Sequence, residues 1–233
     1  MKNVEVQRTN GGYLASHERA ILETIARFLP QVFTPDRLTA FGVFGAFVTL
    51  VGFTLAQFSL QWIWLANFGL FMNWLGDSLD GTVARIRQIE RPNYGYYLDQ
   101  TIDTLSNLMI ALGAGLSPFF RLDVALLALA AYHMLSIHAF VRSVLTREQT
   151  LDVAGFGPTE MRLGIIVVNF IILYLGTEEN AFLGLTYTWC DVVALLTVVV
   201  MLVFFAMEVR KEAAVQLALD RGRNSSKSNR DTA

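Results

Sequence analysis

The chain has 233 residues, of which 54% are apolar and only 16% charged, with a net charge of −2 and one cysteine. Soluble domains carry about 25% charged residues, so this composition, with a mean hydropathy of +0.44, excludes an ordinary soluble domain and points to a membrane protein. The lone Cys190 rules out an intrachain disulfide and any thiolate metal cluster, and its apolar surroundings read as those of an inert buried thiol. No nucleic-acid partner is expected.

Residues 1–13 are polar, contain Gly11-Gly12, and read as a flexible N-terminal arm. No long apolar core of the kind a cleavable signal peptide needs occurs in the first 37 residues, so insertion is expected to be driven by the first membrane helix. Over residues 16–29, Ile21, Leu22, Ile25, Phe28 and Leu29 recur at helical spacing. His17, Glu18, Arg19, Glu23 and Arg27 occupy the other side. This is the pattern of an amphipathic helix lying in the membrane interface, ended by Pro30 and Pro35.

Six apolar segments follow, at 38–58, 60–76, 96–116, 122–141, 163–177 and 187–207. Most approach the ~20 residues that a membrane-crossing helix needs. The short second segment is expected to continue as helix past Gly76, and the short fifth to begin near Thr159. All 18 basic residues except Arg121 fall in the N-terminal region, the second-to-third and fourth-to-fifth connections, or the tail. The positive-inside rule then puts both termini and these connections in the cytoplasm. Trp62, Trp64, Tyr187 and Trp189 would mark the outer interface. The expected fold is an all-α polytopic membrane protein, six transmembrane helices behind an amphipathic one, in a domain spanning 14–208. The polar tail covers 209–233 and is expected to be disordered from Asp220 onward.

The chemistry concentrates between residues 77 and 103. Asp77 and Asp80 are three apart and share a helix face, which Ala84 continues, while Gly81 and Arg85 form an adjacent row. Gly95, Asp99 and Asp103 are spaced by four and line one face of the next helix. Two helices joined by a turn thereby aim four carboxylates at one pocket. Such a cluster beside a membrane is costly unless its charge is compensated, and an all-oxygen set suits Mg²⁺ or Mn²⁺, with room for two ions. Gly81 and Ala84 keep the helix surface flat for a nucleotide, and Arg85 is suited to phosphate oxygens. Asp103, the deepest carboxylate, is placed to take a proton from an attacking hydroxyl. Asp36 and Asp123 each precede an apolar run and by position alone read as helix caps. His133 and His138 read as packing or hydrogen-bonding residues, with His138 the better candidate for a pocket lining. A cation transporter or channel is the competing class. It predicts acids near the bilayer midplane and inverted repeats of broken helices, whereas these acids cluster at one edge beside arginines.

The pattern D-x2-D-G-x2-A-R-x9-G-x3-D-x3-D, met by Asp77, Asp80, Gly81, Ala84, Arg85, Gly95, Asp99 and Asp103, resembles the signature of the CDP-alcohol phosphotransferase family. The amphipathic helix and six spans resemble its architecture over about residues 16–208. The resemblance implies a transferase of phospholipid biosynthesis that moves a substituted phosphate from a CDP-alcohol, CDP-diacylglycerol above all, to an acceptor alcohol with release of CMP. It implies a two-metal centre on Asp77, Asp80, Asp99 and Asp103, with Asp103 as base and Gly81 and Arg85 at the nucleotide. TPDRLT at 34–39 resembles the family's motif ahead of the first span. That gives Asp36 and Thr39 a nucleotide role and sets aside capping for Asp36. Where the family often has a Ser or Thr contact, this chain has Arg91-Pro92. Arg142, Arg147 and Arg162 are candidates for an acceptor's phosphate, and homodimers of the resembled kind are expected.

Overall fold

Helices make up nearly all of the computed structural model, which describes residues 7–9, 15–146, 148–150, 158–178, 180–182 and 185–231. They are α1 (Ala15–Phe28), α2 (Pro35–Leu55), α3 (Ile63–Ile86), α4 (Pro92–Gly115), α5 (Leu122–Thr146), α6 (Pro158–Leu175) and α7 (Trp189–Asp231). The strands have three residues each. β1 (Gln7–Thr9) runs parallel to β2 (Glu148–Thr150), and β3 (Asn180–Phe182) is antiparallel to β4 (Leu185–Tyr187). The N-terminal arm lies outside the described residues apart from β1, and so does Arg147.

Local chemistry sets the helix ends that frame the site. Thr34 caps α2, its hydroxyl accepting from the Arg37 N–H at 3.4 Å, and Pro35 follows in the first turn. The helix therefore starts ahead of the apolar run, and Asp36 sits in its first turn with Thr34 as the cap. Gln88, at φ 55°, closes α3 in a left-handed conformation. Ile89 N–H reaches the Ala84 carbonyl at 3.0 Å, and Gln88 N–H reaches that of Arg85 at 3.1 Å. This is a Schellman closure, with glutamine where glycine is usual. Pro92 then opens α4.

Among the described residues four helices, α2, α5, α6 and the Trp189–Gly222 part of α7, are long and apolar enough to cross a membrane. The two other expected spans, α3 and α4, have 24 residues each. At 1.5 Å per residue that is roughly 36 Å, enough to cross the hydrocarbon layer. Their carboxylates, amides and hydroxyls lower their hydropathy, because these two helices carry the chemistry. Phe44 and Phe68 are each 56% exposed, the outward-facing aromatic surface that lipid would cover.

α2 and α3 form the tightest pair. A Cβ at Gly45 would lie 2.7 Å from that of Met72, and one at Gly76 would lie 2.6 Å from the Gly42 Cα. Small residues let the two backbones touch, and the Asn73 amide donates to the Gly42 carbonyl at 3.0 Å across the seam. The polar tail departs from expectation. α7 continues through it to Asp231, with Gln216 donating to Glu212 at 2.7 Å and Lys211 3.6 Å from Glu208. Such i,i+3 and i,i+4 pairs stabilise helix where no core is available.

Candidate active site

α3 and α4 bring Asp77, Asp99 and Asp103 together. Each offers a carboxylate oxygen, and the three oxygens lie within 4.8 Å of one another. The pocket they enter is also lined by Thr39, Gly42 and Val43 of α2, Asn73 of α3 and Ser106 of α4. Asn73 stands one turn below Asp77, and Ser106 one turn below Asp103. Both are almost fully buried, yet the Asn73 Oδ1 and Ser106 Oγ have no protein partner. Buried polar atoms are normally satisfied, so these two are available to a bound group or its waters. Three hard carboxylates at this separation, above two unpartnered oxygens, fit a divalent cation of the Mg²⁺ or Mn²⁺ kind.

Asp80 stands beside the trio. Its Oδ2 accepts from the Thr39 hydroxyl at 2.6 Å, and its Oδ1 accepts from the Gly81 N–H. Thr39 thus joins α2 to the acidic face of α3. Gly81 and Ala84 are partly buried along that face, and the exposed Arg85 donates to the Thr82 hydroxyl at 3.1 Å. A Cβ at Gly95 would meet nothing within 4 Å, so the first turn of α4 is open to a ligand. Asp36, one turn before Thr39, is paired with Arg91, whose guanidinium stacks 4.4 Å from the centre of the Tyr94 ring.

Arg162 reaches the cluster from the first turns of α6. It is 5% exposed, donates to Asp77 Oδ2 at 2.7 Å and lies 3.7 Å from Asp103 Oδ1. Of the other acceptor candidates, Arg142 pairs at 3.3 Å with Glu212 of α7, which commits it to the α5–α7 contact. His138 packs edge-on against Phe205 and so serves α7 rather than the pocket. Asp123 pairs with Arg121 at 2.6 Å.

Sequence reasoning missed Asn73 and Ser106 and also Glu18, whose carboxylate accepts from Trp74, Ser78 and Thr159. The available signal was polar residues inside apolar segments, which are retained where they have partners or a function. Glu18 carried none, because a carboxylate on the polar side of an amphipathic helix looks solvated.

A helical membrane protein with a carboxylate pocket at one end, flanked by arginines and an open helix turn, is built to handle a phosphorylated substrate through a divalent cation. Residues 28–204 match the CDP-alcohol phosphatidyltransferase family. Over 169 residues the chain is 31% identical to an archaetidylinositol phosphate synthase of Pyrococcus horikoshii, covering 72% of this chain and 85% of that relative. The chain belongs to the CDP-alcohol phosphatidyltransferase family. It is an integral membrane CDP-alcohol phosphotransferase of phospholipid biosynthesis.

Proposed function

We propose that this enzyme transfers the phosphatidyl group of CDP-diacylglycerol to a hydroxyl of an inositol phosphate, releasing CMP. The observation that carries this is the buried Arg162 set against Asp77 and Asp103 at one pocket. The acidic side suits a cation-bridged diphosphate, and the guanidinium suits the acceptor's own phosphate. Likeness to an archaetidylinositol phosphate synthase supports the same acceptor class.

In this reading Asp77, Asp99 and Asp103, joined by Asp80, hold two Mg²⁺ or Mn²⁺ ions. Metal held there would supply the positive charge that offsets the diphosphate and the developing charge on CMP. Asp36, Thr39, Gly81, Ala84 and Arg85 surround the nucleotide. Asp103 takes the proton from the acceptor hydroxyl, whose oxygen forms a bond to the β-phosphorus as the bond from that phosphorus to CMP breaks. Six spans put the pocket and both termini at the cytoplasmic face of the cytoplasmic membrane. The 14–208 domain pairs with a second copy, and residues 1–13 and 209–233 lie outside it.

The test is CMP release by purified protein with Mg²⁺ or Mn²⁺ and CDP-diacylglycerol. The acceptor panel is myo-inositol 1-phosphate, glycerol 3-phosphate, phosphatidylglycerol and an aminoalcohol. Release with the inositol phosphate alone supports the reading. Release with another acceptor instead overturns the acceptor assignment, and no release from CDP-diacylglycerol with any acceptor overturns the whole reading.

A further inference from the structure

α6 packs against the rest of the molecule along one side, where Ile165 and Ile166 meet one apolar cluster and Val168 and Leu173 another. Its three buried residues among those described are Arg162, Asn169 and Ile172, which fall on a single face at a spacing of seven and three. Each has a partner on, or packed against, α3. Thr159 donates to the Glu18 carboxylate at 3.1 Å, the same Oε1 that accepts from Ser78 at 3.1 Å and Trp74 at 2.8 Å. Arg162 meets Asp77, and the Asn169 amide donates to Asn67 Oδ1 at 2.6 Å. Ile172 shares a core cluster with Ile63. Residue numbers rise along α6 as they fall along α3, so these contacts define one antiparallel register.

Three of the four ties are polar; the Asn67–Asn169 bond is buried and the other two are partly buried. Elsewhere α6 presents large apolar side chains outward, with Val167 about half exposed, while the half-exposed Phe170 also meets Trp64 of α3 edge-on at 5.5 Å. Apolar side chains in lipid slide past one another at little cost, since lipid tails are as apolar as leucine. Hydrogen bonds with fixed partners do not slide. Arg162 therefore depends for its height on the ties on either side of it.

We propose that Glu18 and the Asn67–Asn169 pair are positioning residues that hold α6 in register on α3 and so set Arg162 against Asp77. The inference rests on Arg162 serving the acceptor. Glu18 makes α1 part of the site although it touches no reacting atom. Loss of either tie lets the guanidinium drift along α3 and weakens acceptor use most, while Asp77, Asp99 and Asp103 keep their places on α3 and α4.

The experiment compares Glu18→Ala, Glu18→Gln and Asn169→Leu in the full chain, with CDP-diacylglycerol and myo-inositol 1-phosphate as probes. Glu18→Ala and Asn169→Leu are expected to raise the KM for the inositol phosphate at least fivefold and to leave the CDP-diacylglycerol KM within twofold. Glu18→Gln, whose amide oxygen still accepts, is expected to stay near wild type. Equal changes in both KM values, or a fall in kcat alone, overturn the proposal. Spin labels at Ile89→Cys and Leu163→Cys read the register without acceptor, the native Cys190 being buried. A distance distribution that broadens in Glu18→Ala supports the tie, and one that does not change overturns it. Arg162→Ala run alongside separates the two ideas. An unchanged acceptor KM there removes the acceptor role of Arg162, while the label distances still decide the register.

Discussion

Arg162 of α6 and Asp77 of α3 form a buried ion pair at 2.7 Å, and the same guanidinium lies 3.7 Å from Asp103 of α4. One guanidinium therefore ties three helices together at two of the three carboxylates gathered in the pocket. Removing one member of a buried pair leaves its partner's charge uncompensated, at a cost of about 3 kcal/mol or more. Arg162→Met is accordingly expected to melt well below wild type in chelator and to regain most of the difference in millimolar Mg²⁺, which neutralises Asp77 and Asp103 directly. Thermal unfolding in detergent with and without Mg²⁺ checks this. A variant whose deficit is the same in both conditions contradicts it.

Asp103 and Asp99 are expected to fail in different ways. A general base contributes roughly 10²–10⁴-fold, so Asp103→Asn should lower CMP release by about 10³-fold at saturating Mn²⁺. Asp99→Asn removes a ligand but no base. Its activity should recover substantially as Mn²⁺ is raised, with a weakened Mn²⁺ affinity by calorimetry. Equal and unrecoverable losses in both variants argue that Asp103 is a ligand only.

The two-helix pocket was legible because its information is periodic. Asp77 and Asp80 at three, and Asp99 and Asp103 at four, share faces whatever the rest of the chain does, and the structure gathers Asp77, Asp99 and Asp103. Asp80 turning to Thr39 was not legible, since it depends on how α2 lies across α3. That crossing is set by Gly42 and Gly45 facing Gly69 and Gly76, a small-residue seam hidden in an otherwise uniform apolar background. The tail misled for the opposite reason. Its polarity signalled no core, yet α7 runs on to Asp231 past Asp220, with Gln216 bonded to Glu212 in the turns just ahead of that point.

The glycines provide a sharp contrast between packing and binding. At Gly45 a Cβ would meet the Gly69 carbonyl at 2.8 Å as well as Met72, so Gly45→Val must force α2 and α3 apart. Overpacking of this kind costs about 1–3 kcal/mol or more, and Gly45→Val is expected to melt early or to fail to accumulate in the membrane. Gly95→Ala meets nothing and is expected to melt like wild type; with the donor against the open turn of α4, its added methyl should raise the CDP-diacylglycerol KM. A wild-type KM for Gly95→Ala would show that the open turn of α4 does not contact the donor.

Thr39 offers the cleanest test of how α2 serves the acidic face. Its hydroxyl is the group from α2 that reaches Asp80, at 2.6 Å, and hydrogen bonds to charged groups contribute about 1.5–3 kcal/mol. Valine has nearly the same shape and no donor, so Thr39→Val frees the Asp80 carboxylate to rotate without opening a cavity. The donor KM, or the Mn²⁺ concentration for half-maximal rate, is expected to rise about tenfold or more, the kinetic equivalent of the lower bound of that energy. Thr39→Ser keeps the hydroxyl and should fall between the two, because serine's freer rotamer holds Asp80 less firmly. If valine and serine behave alike, the Asp80 carboxylate is oriented by the Gly81 N–H alone and α2 contributes shape, not chemistry, to the site.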